Sequence, residues 1–127
     1  MTLLEHVNVT VKDPAATAAV LERLFGWHVR WQGPAKSGGF TVHVGTKDQY
    51  LALYTPPGGL QAAVDPGLHQ SGLNHIGLVV QDLDAAETRI KAAGYVTGNH
   101  ADYEPGRRFY FTEENGVEIE VVSYALV

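Results

Sequence analysis

With 127 residues, of which 45% are hydrophobic and 18% charged, the chain has the size and composition of one soluble globular domain. Its net charge of −5, with no cluster of Lys and Arg beyond Arg107-Arg108, argues against nucleic acid as a partner. It has no cysteine, which excludes disulfides and thiolate ligands, and no apolar run long enough to span a membrane. The N-terminus lacks the layout of a signal peptide, so we expect a cytoplasmic protein.

The first part of the chain predicts a strand, a helix and three further strands. The first strand covers residues 4–11. Asp13 suits the N-cap of the helix, Pro14 suits its first turn, and Gly26 ends it. Alternating or β-branched runs then predict strands over residues 27–32, 40–44 and 50–54.

The second part of the chain predicts the same order of elements after a linker. The linker, about residues 56–72, is rich in Pro and Gly and could double as a lid. A strand over residues 73–80 leads into a helix that begins at Asp82 or Asp84 and stops at Gly94. The remaining predicted elements are a strand near Tyr95–Val96, a loop containing Gly98, Pro105 and Gly106, a strand over 108–112, a turn at Asn115-Gly116, and a strand over 117–123.

The two parts repeat each other around a histidine. Leu73–Val80 corresponds to Leu4–Val11, and His75 and His6 occupy equal positions in the two copies. Because strand side chains alternate between faces, each histidine should open its strand on the face opposite the aliphatic row that a helix covers. We therefore predict a single domain, residues 1–127, built from unit one (about 1–55) and unit two (about 73–127).

This organisation resembles the vicinal oxygen chelate superfamily. The resemblance rests on the two β-α-β-β-β copies, the paired histidines, and the ending Arg108–Phe111 followed by Asn115–Glu120. The superfamily includes glyoxalase I, methylmalonyl-CoA epimerase, extradiol dioxygenases, fosfomycin-resistance enzymes and bleomycin-resistance proteins. The resemblance covers essentially the whole chain. It implies an α+β fold in which two βαβββ units form a cupped mixed sheet with the helices on its outer face.

The resemblance also implies a metal site. In the superfamily the ligands come from the first and last strands of each unit, and His6, His75 and Glu120 match three of these positions. The fourth matches Ala52, which cannot bind a metal, and this departs from glyoxalase I and the epimerase. Two histidines and one carboxylate suit a divalent metal ion, Fe(II) or Mn(II). Considered alone, each histidine is more typical of an ordinary sheet residue than of a metal ligand. Their equal positions in the two copies of the repeat favour metal ligation.

Two further residues are candidates for catalysis. Tyr110 matches the active-site tyrosine of extradiol dioxygenases, where a phenol can hydrogen-bond an anionic oxygen, although an exposed strand former is an equal reading. His43 is the best candidate for an acid/base, although a structural histidine is the more ordinary interpretation. His69 and His100 are alternatives on loops.

A substrate pocket is predicted on one strand face. Tyr50, Ala52 and Tyr54 alternate onto that face and offer an aromatic wall, unless the face is a dimer surface. Arg108 could bind a substrate carboxylate, and the alternative is a surface pair with its neighbouring arginine. The spacing of Trp27 and Trp31 places both on one strand face, so we expect a core or interface role for them.

Two classes of function follow from the resemblance. The first is a metal-dependent enzyme that chelates a small substrate through two adjacent oxygens, dioxygenase-like or glyoxalase-like. The second is a non-catalytic binding protein of the bleomycin-resistance type, which suits the acidic charge and the tyrosines. The fosfomycin-resistance enzymes that the chain resembles carry a lysine for phosphonate binding in the loop before the final hairpin. Residues 98–104 contain two acids and no lysine there, so the resemblance disfavours phosphonate chemistry. We expect a homodimer with a small-molecule ligand, no nucleic acid and no membrane partner, and a site formed within one chain or across two.

Overall fold

Each half of the chain forms a four-stranded mixed sheet with one helix in the computed structural model, which describes residues 1–103 and 106–124. The predicted α+β class with two βαβββ units is confirmed. The two units are Met1–Ala62 and Ala63–Val127, and their boundary falls inside the segment predicted as a linker. Pro105, which was predicted in a loop, lies outside the described residues.

Unit 1 contains β1 (His6–Thr10), α1 (Pro14–Phe25), β2 (His28–Pro34), β3 (Phe40–Gly45) and β4 (Tyr50–Thr55). The strand order is β1-β4-β3-β2. β1 runs parallel to β4, and the other neighbours are antiparallel. The parallel pair follows from the helix, because a strand that returns beside its neighbour in the same direction needs a crossover connection.

The helix α1 begins and ends where the sequence predicts. The side chain of Asp13 accepts a hydrogen bond from the backbone N–H of Ala16 at 3.1 Å, and Pro14 occupies the first turn. Gly26 has φ 71°, a left-handed conformation that glycine adopts without a steric penalty, and its N–H closes the last turn on Glu22. α1 packs against β2, β3 and β4, and the buried residues between them include Ala18, Leu21, Leu24, Val42, Val44, Leu51 and Leu53.

Unit 2 contains β5 (Ile76–Val79), α2 (Leu83–Ala92), β6 (Gly98–Tyr103), β7 (Gly106–Thr112) and β8 (Glu118–Ser123). The strand order β5-β8-β7-β6 matches that of unit 1, with β5 parallel to β8. The same succession of elements in each half therefore yields the same sheet, as the sequence repeat predicts.

The core of unit 2 lies between its sheet and α2. Asp82 caps α2 by accepting a hydrogen bond from the N–H of Ala85 at 3.0 Å. α2 packs against β8, and the buried residues of this layer are Leu83, Ala86, Ile90, Phe109, Phe111, Ile119 and Val121. In the described residues, no helix combines the length and apolar character needed to cross a membrane.

The prediction for the segment after α2 is wrong. Tyr95–Val96 is irregular, and the residues assigned to a loop form β6, Gly98–Tyr103. Among the described residues β6 lies at the edge of its sheet, next to β7, so a polar and glycine-containing sequence is tolerated there. Asn99 has φ 51°, and the register with β7 shifts between Gly98 and Ala101, so the strand is irregular there. The side chains therefore do not alternate regularly between the two faces, and this alternation is the pattern from which strands are predicted.

The strands that follow the two histidines are shorter than predicted. β1 covers His6–Thr10 rather than residues 4–11, and β5 covers Ile76–Val79 rather than 73–80. His6 opens β1, whereas His75 lies immediately before β5. Both units thus keep their histidine at the beginning of the first strand, within reach of the strand that pairs with it.

Glu87 joins α2 to β6. One of its carboxylate oxygens accepts hydrogen bonds from Thr97 Oγ1 and from His100 Nε2, the latter at 2.6 Å, and Lys91 lies 3.5 Å away. His100 is therefore a strand residue tied to the helix, and its assignment to a loop is wrong. Partial burial raises the pKa of Glu87, but the hydrogen bonds from Thr97 and His100 outweigh it and hold that pKa below its usual value of 4.5.

Replacing Glu87 by Gln should make the stability of the protein less sensitive to acid. A carboxyl group whose pKa is lower in the folded chain contributes stability that is present above pH 4.5 and is lost as the pH falls through the folded pKa. Urea unfolding measured from pH 7 down to pH 3 should therefore show a flatter acid limb in Glu87→Gln. Glu22→Gln in α1 controls for the loss of one carboxylate, and an unchanged limb in Glu87→Gln would contradict the prediction.

Candidate metal centre

His75 and Glu120 meet on the helix-free face of unit 2. In the sheet register Glu120 lies opposite Gly77 on one side and Tyr110 on the other. The Nε2 atom of His75 lies 3.1 Å from Oε1 of Glu120, and the two side chains are 37% and 11% exposed. Tyr110 packs edge-on against the His75 ring, with 5.9 Å between the ring centroids. Three residues predicted from separate parts of the sequence are therefore neighbours.

Arg108 binds the second oxygen of Glu120. Its Nη1 donates to Oε2 of Glu120 at 2.6 Å, and its side chain is only 10% exposed. The alternative of a surface pair formed by the two arginines is wrong, because Arg107 points elsewhere and contacts Asp84 at 3.4 Å. The two oxygens of the Glu120 carboxylate thus have different partners, His75 and Arg108.

Each of the two histidines at equal positions of the repeat is oriented by the residue before it. Nδ1 of His6 lies 2.9 Å from Oε1 of Glu5, and Nδ1 of His75 lies 2.8 Å from Oδ1 of Asn74. A proton on Nδ1 that is donated to these acceptors leaves Nε2 as the metal-binding nitrogen, which is the usual arrangement around a ligand histidine. Neither acceptor was predicted, although an oxygen-bearing side chain precedes each repeated histidine in the sequence.

The register of unit 1 gives Ala52 the place that Glu120 has in unit 2. Ala52 pairs with Asn8, and Asn8 follows His6 at the distance at which Gly77 follows His75. On its other side Ala52 pairs with His43, so His43 corresponds to Tyr110. The helix-free face of unit 1 therefore has a methyl group where unit 2 has its carboxylate.

Rings form a continuous row across the helix-free face of unit 1. Tyr50 stacks on His6 and on His43, with centroid distances of 4.9 and 4.6 Å. His43 contacts Trp31 at 5.1 Å, and the guanidinium of Arg30 lies 4.3 Å from the centre of the Tyr50 ring. Trp31 is 50% exposed, which excludes the core as its place, and the interface role stays a prediction. This aromatic row comprises His6, Tyr50, His43 and Trp31.

The ionisable groups beside the aromatic row have shifted pKa values. Burial lowers the pKa of His43, which favours a neutral imidazole that can accept a proton. Burial also raises the pKa of Tyr50, so its phenol stays protonated and donates to Glu5. The hydrogen bond from His6 lowers the pKa of Glu5. Tyr54, the third predicted pocket residue on this strand, pairs with Thr10 and with Thr41 at the next position along the same face.

The pair in unit 2 fits a divalent metal ion in donor chemistry and separation. An imidazole nitrogen and a carboxylate oxygen bound to one ion at about 2.0–2.2 Å each lie roughly 3 Å apart, as Nε2 of His75 and Oε1 of Glu120 do. Across residues 1–103 and 106–124, no group of three or more His, Cys, Asp or Glu is arranged to hold a metal ion. His6 belongs to unit 1, and its contribution to the same site stays a prediction.

The family follows from a comparison of the sequence with family models. Residues 3–121 match the model of the Glyoxalase/Bleomycin resistance protein/Dioxygenase superfamily. The chain belongs to this superfamily. The match spans both units, so the resemblance inferred from the repeat is confirmed. No curated protein matches the chain significantly.

Solved structures share the fold of this superfamily member. A glyoxylase/bleomycin resistance protein/dioxygenase domain from Frankia sp. EAN1pec has a TM-score of 0.81 and 20% identity over 97% of this chain and 98% of its own. A variant of the fosfomycin resistance protein FosX from Listeria monocytogenes, complexed with Mn(II) and 1S,2S-dihydroxypropylphosphonic acid, has a TM-score of 0.73 and 21% identity over 100% and 95%. TnmS3, an antibiotic binding protein from Streptomyces sp. CB03234, has a TM-score of 0.74 and 20% identity over 98% of each chain. At such identities the likeness concerns the fold, which hosts both enzymes and binding proteins.

Proposed function

We propose that this superfamily member is a metal-dependent enzyme that holds a small substrate through two neighbouring oxygens on a divalent ion. The observation that carries the proposal is the pair formed by His75 and Glu120, with Nδ1 of the imidazole already fixed by Asn74. His6, oriented in the same way by Glu5, is proposed as the third ligand. Fe(II) and Mn(II) suit this donor set, and the superfamily relative FosX binds Mn(II).

The metal would supply Lewis acidity to the substrate oxygens and, if it is iron, redox chemistry with dioxygen. The protein residues supply orientation and proton transfer. Tyr110 contacts the His75 ring, and its phenol is proposed to hydrogen-bond a substrate oxygen that becomes negatively charged. His43, kept neutral by burial, is proposed to accept a proton from the substrate.

The methyl group of Ala52 favours dioxygenase-like over glyoxalase-like chemistry. Unit 1 lacks a carboxylate at the position that corresponds to Glu120, so no fourth protein ligand or carboxylate base is available there. A set of two histidines and one carboxylate leaves positions open for a bidentate substrate and a second molecule. Tyr50 and Tyr54 on the same strand are proposed to line the pocket for this substrate, in a homodimer.

A binding protein without catalysis is the second candidate. The half-exposed indole of Trp31 at the end of the aromatic row is the observation that favours it, because exposed aromatic rings are typical of surfaces that hold flat ligands. The superfamily relative TnmS3 binds an antibiotic. A protein that only sequesters its ligand has no need of the ordered pair formed by His75 and Glu120.

Metal analysis separates the two candidates. The protein is purified, stripped with a chelator, and titrated anaerobically with Fe(II) and with Mn(II) in a calorimeter. The enzyme proposal requires saturable uptake of close to one equivalent per site. Uptake below about a tenth of an equivalent for both metals would reject the enzyme proposal and favour the binding protein.

A further inference from the structure

Arg108 is held on the helix-free face of unit 2 by partners that include Glu120 and the backbone of Gly106. Its Nη1 donates to Oε2 of Glu120 at 2.6 Å, while its Nε and Nη2 both donate to the carbonyl oxygen of Gly106 at 3.3 and 3.1 Å. A guanidinium held through three nitrogen atoms presents its remaining surface in one orientation. Arg108 therefore acts as a rigid support for the carboxylate rather than as a mobile surface charge.

The backbone at Gly106 lies very close to the end of β8. A Cβ atom on Gly106 would lie 2.3 Å from the carbonyl oxygen of Ser123, so the beginning of β7 approaches the end of β8 too closely for any other residue. The carbonyl oxygen of Gly106 is the acceptor of the bonds from Nε and Nη2 of Arg108. In unit 1 the positions that correspond to Arg108 and Glu120 hold Thr41 and Ala52, so this charged pair is specific to unit 2.

We propose that Arg108 is a positioning residue that restricts Glu120 to one oxygen for the metal and lowers the affinity of the site for it. This inference rests on the proposed function. A carboxylate with two accessible oxygens can bind a cation through both, whereas Arg108 occupies Oε2 and leaves only Oε1 facing His75. The positive charge of the guanidinium also offsets the attraction of the carboxylate for a cation. Ligation through one oxygen keeps a further position open for substrate.

Arg108→Met and Arg107→Met form a matched pair for the test. Both remove one positive charge from adjacent residues, but Arg107 contacts Asp84 instead of Glu120. We expect Arg108→Met to bind Mn(II) about 10- to 100-fold more tightly than the wild type, the equivalent of one charge-assisted hydrogen bond, with fewer exchangeable water molecules on the ion by proton relaxation. The Mn(II) affinity of Arg108→Lys should lie between those of Arg108→Met and the wild type. The affinity of Arg107→Met should match that of the wild type. Unchanged or weaker Mn(II) binding in Arg108→Met, with an unchanged water number, would overturn the proposal.

A metal-free measurement separates this inference from the proposed function. In the stripped protein, the ¹⁵N signals of the His75 imidazole report the position of Glu120, and we expect them to shift in Arg108→Met but not in Arg107→Met. Failure of the wild type to bind both Mn(II) and Fe(II) would reject the proposed function, and the imidazole signals would then decide the positioning role alone. Identical His75 signals in wild type and Arg108→Met would reject that role. Arg108→Gln serves for the same comparison where Arg108→Met does not fold.

Discussion

Replacing His75 by Ala is expected to abolish the binding of Mn(II) and Fe(II) and to leave the fold intact. The substitution removes the nitrogen that lies 3.1 Å from Glu120, while the His75 side chain is 37% exposed and precedes β5. Loss of residues that merely orient ligands weakens metal binding about 10- to 100-fold, so loss of a ligand should exceed about 100-fold. Calorimetric titration with Mn(II) measures the affinity, and circular dichroism and urea unfolding measure the fold.

His69→Ala is the control for this substitution. His69 is also exposed but lies in the linker, where its ring contacts the backbone oxygen of Asp65. The His69→Ala variant should therefore bind Mn(II) and Fe(II) as the wild type does. Glu120→Gln should reproduce the loss seen in His75→Ala, because a neutral amide is a much weaker ligand than a carboxylate. Normal metal content in His75→Ala would show that other residues hold the metal.

Replacing Phe109 by Ala is expected to lower the free energy of unfolding by about 3–5 kcal/mol. Phe109 is fully buried and has the largest of the fully buried side chains in the described residues. It lies opposite Val121, which is also fully buried, on the face that α2 covers. Truncation of a buried phenylalanine loses transfer free energy and leaves a cavity that the neighbours fill only in part. Urea unfolding measures the effect.

The predicted loss is a large fraction of the total stability of a typical domain, about 5–15 kcal/mol. Amide exchange should accelerate most strongly in β7 and β8, the strands that carry Phe109 and Val121. Phe40→Ala in β3 is the control, because Phe40 is 37% exposed and should lose only about 1 kcal/mol. Equal losses in the two variants would contradict the view that the layer beneath α2 holds unit 2 together.

The sequence was informative wherever local chemistry decides the structure. Asp13 and Asp82 cap their helices, and Gly26 ends the first, because these positions need a particular side chain or a left-handed backbone. Alternation along β7 puts Phe109 and Phe111 on the buried face and Tyr110 on the opposite face, in agreement with the burial of these residues. Alternation along β8 puts Glu120 on the helix-free face, where it meets His75.

Where local chemistry is ambiguous, the sequence did not predict the structure correctly. The residues of β6 have the composition of a loop. They form a strand because their backbone pairs with the edge of β7. The same limit applies to Arg108, which resembles its neighbour Arg107 in the sequence. Whether such an arginine is exposed or buried depends on what the paired strand presents, and here that is Glu120.

The sequence by itself determined the repeat, the order of elements in each unit and the face on which each candidate ligand lies, because these depend on periodicity and capping within short segments. Only the tertiary structure decided that the two oxygens of Glu120 are divided between His75 and Arg108. That arrangement depends on the register between β7 and β8, which puts Arg108 two positions from Tyr110, the residue opposite Glu120. It arises from contacts between strands that no pattern within one strand encodes.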